Sequence, residues 1–235
     1  GRVKVFILDD STIPRNRSKK VELLARIFDH VSHKFVKGFT LLTLGWSDGY
    51  SFIPLTFNLL SSAKKSNRYQ EISASIDHRT NGYKARLESM LHKPDAALRL
   101  IKSALDIGIS ADYVLMDTWF TTEPFIKSIQ DLGLDVIGMV KQLNQSYIFH
   151  GKTYKLAQLQ KSAPYKSAKE CFGSLVVYTK NHHIPVKIVF VRNRNKRSEC
   201  LYILSTDIEL SNAEIVRIYG NRWSIEVFFK ASKSL

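Results

Sequence analysis

The longest apolar runs in this chain are no longer than a β-strand, Tyr113–Met116 and Ile188–Val191 among them. Stretches with helical spacing fall between such runs. A chain patterned this way buries its strands in a sheet and covers the sheet with helices. The same shortness excludes a membrane-spanning helix, which needs about 20 apolar residues. Hydrophobic residues make up 44% of the 235 positions and aromatic residues 11%. That is too apolar for intrinsic disorder and enough for one large core, or a core with an insertion.

Residues 2–10 read as a buried strand carried by Val3, Val5, Phe6, Ile7 and Leu8. A polar stretch rich in Lys and Arg follows, from Ser11 to Lys20. Gly38–Gly45 and Tyr50–Leu60 read as strands joined through Ser47-Asp48-Gly49, a good hairpin turn. Residues 61–82 are polar and poorly periodic and read as a loop. Pro94 suits the first turn of a helix running to about Ile107, with Ala97, Leu98, Ile101 and Leu105 at helical spacing. Tyr113–Met116 is a strand ending at Asp117. Thr121 or Thr122 can cap a helix through Leu132, with Pro124 in its first turn, and Leu134–Val140 is the next strand.

From Gln142 to about Thr206 the chain turns β-rich, with runs at Phe172–Tyr178, Val186–Val191 and Leu201–Leu204. Ser211 followed three residues later by Glu214 is a capping-box signature. It opens a last helical region that Gly220 can interrupt and that resumes over Arg222–Lys233. This order predicts an α/β protein: a mixed sheet flanked by helices, compatible with an RNase H-like fold carrying a β-rich insertion before its last helix. The expected layout is a core over 1–141, the insertion over 142–206 and the final core helix over 207–235. The abrupt opening on a strand and the stop inside a helix predict a longer protein with flanking domains, its C-terminal part among them. No charged-then-apolar leader is read, and Cys171 and Cys200 lack C-x-x-C spacing, which fits a reducing cytoplasm.

Thirty-five Lys and Arg against 21 Asp and Glu give a net charge of +14. Such a balance favours a polyanionic partner, nucleic acid before membrane. Arg15, Arg17, Lys19 and Lys20 form one basic cluster, Lys64, Lys65 and Arg68 a second, and Arg192, Arg194, Lys196 and Arg197 a third. Each can contact DNA backbone or simply solvate a loop.

Acidic residues close two of the strands: Asp9-Asp10 the first and Asp117 a later one. Carboxylates at strand ends can meet one from a covering helix, and such a set suits a hard cation such as Mg²⁺. Two such ions, roughly 3.5–4 Å apart, support in-line phosphoryl displacement. Each Asp taken singly also serves as an ordinary turn or cap residue. In the last helical region Tyr219, Arg222, Glu226, Lys230 and Lys233 fall within about an 80° stripe of an ideal helix. A solvated face with i,i+4 ion pairs accounts for the charges but not for the aromatic hydroxyl. One acid for metal flanked by donors for phosphate oxygens accounts for all five. Ile225, Phe228 and Phe229 lie beside the stripe and can anchor it.

The pattern Tyr219-x-x-Arg222-Trp223-x-Ile225-Glu226-x-x-Phe229-x-x-x-Lys233 resembles the Tyr–Arg–Glu–Lys motif of bacterial cut-and-paste DDE transposases of the insertion-sequence 4 type. Leu8-Asp9-Asp10-Ser11-Thr12 looks like the first-acid segment of that group, and Val114-Leu115-Met116-Asp117-Thr118-Trp119-Phe120 like its second. The resemblance implies that Asp9, Asp117 and Glu226 hold two Mg²⁺ ions, with Mn²⁺ as a substitute. Asp10 is the alternative to Asp9, because neighbouring strand residues face opposite ways; the other Asp would support the site or pair with a basic residue. It further implies double-stranded DNA as partner, at transposon ends and target, with Tyr219, Arg222, Lys233 and, more weakly, Lys230 on phosphates. A homodimer acting on DNA in the bacterial cytoplasm, at the nucleoid, is also implied. An RNase H-like nuclease that cuts without joining, or a domesticated DNA-binding protein without catalysis, are the alternatives. Trp119 reads as packing, with base stacking as its other use, Trp223 as core, and His182-His183 as a loop or strand-edge pair with no third ligand nearby.

Overall fold

A computed structural model describes residues 2–141, 145–163, 171–193, 196 and 199–234. Arg194 and Arg197 of the third basic cluster, and the expected insertion boundary at Gln142, lie outside the described residues. The chain divides into two compact units, one of residues 1–7, 46–53 and 110–235, the other of residues 8–45 and 54–109. Strands β1 (Val5–Pro14), β3 (Lys34–Ser47) and β4 (Phe52–Leu60) contribute residues to both.

The first unit is built on β5 (Tyr113–Met116), which runs parallel to β6 (Asp135–Val140). Parallel neighbours need a crossover, and α3 (Glu123–Gln130) supplies it, packing back on β6 through Phe125, Ile126 and Ile129. Val114, Leu115, Met116, Val136 and Ile137 are completely buried, as expected for strands covered on both faces. The sheet continues antiparallel from β6 to β11 (Cys200–Ser205), β10 (Pro185–Arg192), β9 (Cys171–Thr179), β7 (Ser146–Phe149) and β8 (Lys152–Lys155). Short α4 (Leu156–Ser162) follows β8. The expected β-rich segment is thus present, and β11 hydrogen-bonds directly to β6.

Two helices close this unit. Ser211 caps α5 (Asn212–Gly220) with the reciprocal Ser211/Glu214 bonds that its sequence signature calls for. Ile215 and Ile218 bury that helix, which packs on β6, β9 and β11. After Gly220 the chain passes Asn221 and Arg222 with i→i+3 bonds and re-forms as α6 (Trp223–Lys233). Ile225 and Phe229 anchor α6, and the Phe228 ring packs against Phe52 at 5.8 Å. Trp223, expected in the core, is 66% exposed. It stands on the first turn of α6, two positions ahead of the buried Ile225, so it points off the buried face.

In the second unit β2 (Ala25–Asp29) pairs antiparallel with β3, and β1 and β4 are also neighbours of β3. Pro94 lies in the first turn of α2 (Lys93–Asp106), as its position predicts. The buried stripe is Ala96, Ala97, Leu100, Ile101 and Ala104, while Leu98 and Leu105 are half-buried. The stretch 61–82 holds a single 3₁₀ turn at Lys65–Asn67 and the beginning of α1 (Asn81–Glu88). Helix α1 buries none of its residues, so no apolar period marks it; Thr80 caps it by accepting the Tyr83 N–H. No helix among the described residues is long and apolar enough to cross a membrane.

Candidate active site

Along β1 the fully buried Val5–Leu8 give way to half-buried Asp9 and Asp10, which belong to the second unit. The Asp10 N–H donates to Asp9 Oδ1 at 2.8 Å. Lys93, the first residue of α2, donates through Nζ to Asp10 Oδ1 at 3.0 Å, with both side chains less than one-fifth exposed. Sequence reasoning gave Lys93 no role. It is joined to Asp10 only by the fold, with no local signal beyond its place before Pro94. Arg15, Arg17, Lys19 and Lys20 are all exposed. Arg68 of the second cluster is spent internally: its guanidinium donates to Glu71 and to the Ser62 and Ala63 carbonyls.

In the first unit Asp117 follows β5 directly and opens a tight turn into α3. Its Oδ1 accepts the Trp119 N–H at 2.9 Å and the Phe120 N–H at 3.3 Å. Its carbonyl accepts the Thr121 N–H at 3.1 Å and the Thr121 hydroxyl at 2.6 Å. Thr121 is wholly buried, and its carbonyl accepts from the Gln145 amide, which in turn accepts the buried Tyr147 hydroxyl at 2.8 Å. Side-chain and main-chain bonds therefore fix both the carboxylate and the backbone of Asp117. The next helix begins with Glu123, whose carboxylate accepts Asn181 and His182 N–H groups from the β9–β10 turn. Burial pushes the Glu123 carboxyl up, but these donors and Thr179 outweigh it, so the group sits below its ordinary range. His182 and His183 lie in that turn, and His182 Nδ1 is 3.2 Å from Glu123. Trp119 is 42% exposed, its ring edge-on to Phe120 at 4.9 Å. It is not the packing residue expected, because the turn after Asp117 lifts it off the core.

At the α5–α6 junction Tyr219 is buried, and the Arg222 guanidinium lies 5.9 Å from the centre of its ring. Arg222 also donates through Nη2 to Glu226 Oε1, one turn on. The break after Gly220 puts Tyr219 and Glu226 on different helices, yet Arg222 still links them. Lys230 and Lys233 are exposed in the last turns of α6. Carboxylate oxygens are the donors a hard divalent cation prefers, so the residue types fit such an ion. Among the described residues no group of three or more His, Cys, Asp or Glu is placed to hold a metal. The acids in hand are instead engaged by Lys93, by Arg222 and by backbone N–H groups.

A family model described as DDE superfamily endonuclease matches residues 1–161, and one described as Transposase DDE domain matches residues 90–235. Each spans more than half of the chain, which belongs to the DDE superfamily of endonucleases and transposases. Membership implies a nuclease-type enzyme that acts on DNA, and domains of this kind generally use divalent metal ions. The observed mixed α/β sheet flanked by helices is consistent with the RNase H-like fold. Comparison with curated proteins finds no match.

Proposed function

We propose that this chain is the catalytic core of a cut-and-paste DNA transposase of the insertion-sequence 4 type. The observation that carries the reading is the Arg222 side chain, which bonds Glu226 and lies beside the Tyr219 ring within a chain of the DDE superfamily. An Arg222 side chain in reach of both Tyr219 and Glu226 supports the three acting together. Lys233 supplies the fourth from an exposed position.

In this reading Asp9, Asp117 and Glu226 would hold divalent metal, Mg²⁺ or Mn²⁺, although among the described residues no three such groups stand together for it. A metal held there would supply Lewis-acid activation of the attacking oxygen and stabilisation of the leaving oxygen. Asp10, paired with Lys93, remains the alternative to Asp9 as the ligand. Tyr219, Arg222, Lys230 and Lys233 position phosphates, and Arg15, Arg17, Lys19 and Lys20 add affinity for duplex DNA that falls with salt. The two reactions are hydrolysis at a transposon end and attack of the freed 3′-hydroxyl on target DNA. Residues 1–141 and 207–235 form the catalytic core in this reading, 142–206 its insertion, and a homodimer on paired ends is the working form in the bacterial cytoplasm.

The test incubates the full-length protein with end-containing linear DNA, a target plasmid and Mg²⁺. Joined products are expected. Nicking without joining would move the protein to the RNase H-like nucleases, and binding without cutting would make it a non-catalytic relative. A smaller effect is expected at the last motif residue. Lys233→Ala removes one phosphate contact, so the slope of log affinity against log salt is expected to shrink by about 1. A filter-binding titration across salt concentrations checks it, and an unchanged slope removes Lys233 from the DNA interface.

A further inference from the structure

The second unit carries a sheet face whose chemistry the transposase reading leaves unused. Along β2 the pleat buries Ala25 and Ile27 and turns Arg26 and Phe28 to water. The register sets Arg26 opposite Lys37 and Phe28 opposite Phe35, so these four share the outward face. Phe28 is 39% exposed and Phe35 57%. Their rings meet edge to face at 5.3 Å, and the Arg26 guanidinium lies over the Phe35 ring at 3.8 Å. Tyr69 extends the row: its N–H donates to the Leu24 carbonyl, and Lys37 Nζ lies 4.8 Å from its ring centre.

Two phenylalanines standing in water forgo the burial that drives folding, so a grouped pair calls for an occupant. The cations decide which. Rings and positive charges interleave here at cross-strand spacing in a chain of net charge +14. The Arg15 N–H donates to the Lys37 carbonyl, so the exposed basic stretch from Arg15 to Lys20 borders the same strand. The acid of β2, Asp29, is tied at its end by the Ser32 hydroxyl at 2.6 Å. A duplex keeps its bases stacked on one another and offers such a face only phosphates. An unpaired strand offers ring faces as well, which stack on aromatic side chains while cations follow the backbone.

We propose that the outward face of the β2–β3 hairpin binds single-stranded nucleic acid, with bases stacked on Phe28, Phe35 and Tyr69 and phosphates held by Arg26 and Lys37. The site is independent of the acidic residues and does not rest on the transposase reading.

The experiment measures fluorescence anisotropy of the full-length protein with a labelled 15-nucleotide thymidine oligomer and with a 15-base-pair duplex. The wild-type chain binds the oligomer, and F28A/F35A weakens that binding at least tenfold, in line with the stacking lost. Duplex affinity stays within about twofold, since backbone contacts dominate there. F28L/F35L keeps apolar bulk without a ring face, so it guards against misfolding and is expected to lose oligomer affinity as F28A/F35A does. R26Q/K37Q is expected to shrink the oligomer's salt slope by about 1 or more. No binding of the oligomer by the wild-type chain overturns the proposal. So does a leucine variant that binds it normally, or equal losses on oligomer and duplex.

Discussion

Gly138→Ala is expected to destabilise the protein by about 1–3 kcal/mol, the range for overpacking a well-filled core. A Cβ at this position of β6 would overlap the Thr121 hydroxyl and lie 2.8 Å from Thr121 Cγ2. Neither side can give way cheaply. Gly138 is paired with Met116 on one side and Leu204 on the other, which pins the backbone from both directions. Thr121 is wholly buried, branched at Cβ and committed to the Asp117 carbonyl. Thr121→Ala alone is expected to cost about 1 kcal/mol through the lost hydroxyl bond, with the main-chain bond to the same carbonyl kept. Combining the two changes removes the two closest overlaps and leaves Thr121 Cβ at 3.1 Å, so the double variant is expected to be more stable than the sum of the singles by about 1 kcal/mol. Urea denaturation of the four proteins measures this coupling. Additive losses would mean that Gly138 and Thr121 do not press on each other. Because the same threonine fixes the turn at Asp117, the single Gly138 variant is also expected to cleave DNA less than its folded fraction predicts.

The parts of this fold that were legible in the sequence are those where one local signal decides the outcome. Tyr113–Met116 is a strand because it is an uninterrupted apolar run closed by an acid, and α5 starts at Ser211 because a capping box leaves little choice. Helix α1 gave no such signal, having no buried face to impose a period. Strand β2 hid for a related reason: Phe28 faces water, so its alternation of burial is not an alternation of polarity. Trp223 and Trp119 misled in the same direction, since large aromatic rings are usually buried and both stand exposed. At the candidate site the proposed acids and the Tyr–Arg–Glu–Lys resemblance rest on local sequence. Their supports could not, because Lys93 with Asp10 and Gly138 with Thr121 meet only through tertiary contacts. A glycine inside a strand is the one local hint, since it often marks a close approach of another group.

Glu226→Gln is expected to lower DNA cleavage by at least about 10³-fold, or about 4 kcal/mol of transition-state stabilisation, while DNA binding is kept or strengthened. The substitution preserves size, and an amide oxygen can still accept from Arg222, so α6 stays anchored by Ile225 and Phe229. The ion pair it weakens is i,i+4 and partly exposed, at 16% and 35% for the two side chains, and such a pair contributes less than about 1 kcal/mol. Folding should therefore change little. What disappears is a negative oxygen donor, which a hard divalent cation needs and a neutral amide replaces poorly. The sign on binding runs the other way. Removing one negative charge from a chain of net charge +14, and relieving Arg222 of its anionic partner, strengthens attraction for phosphate. Arg222→Gln reverses the effect on binding alone: the carboxylate stays while the guanidinium fork is lost, so binding falls and cleavage falls with it. Cleavage gels and filter binding run side by side on the two variants separate these outcomes. Cleavage by the Glu226 variant within about threefold of the wild type would take this residue out of the reacting machinery, and the Tyr–Arg–Glu–Lys assignment with it.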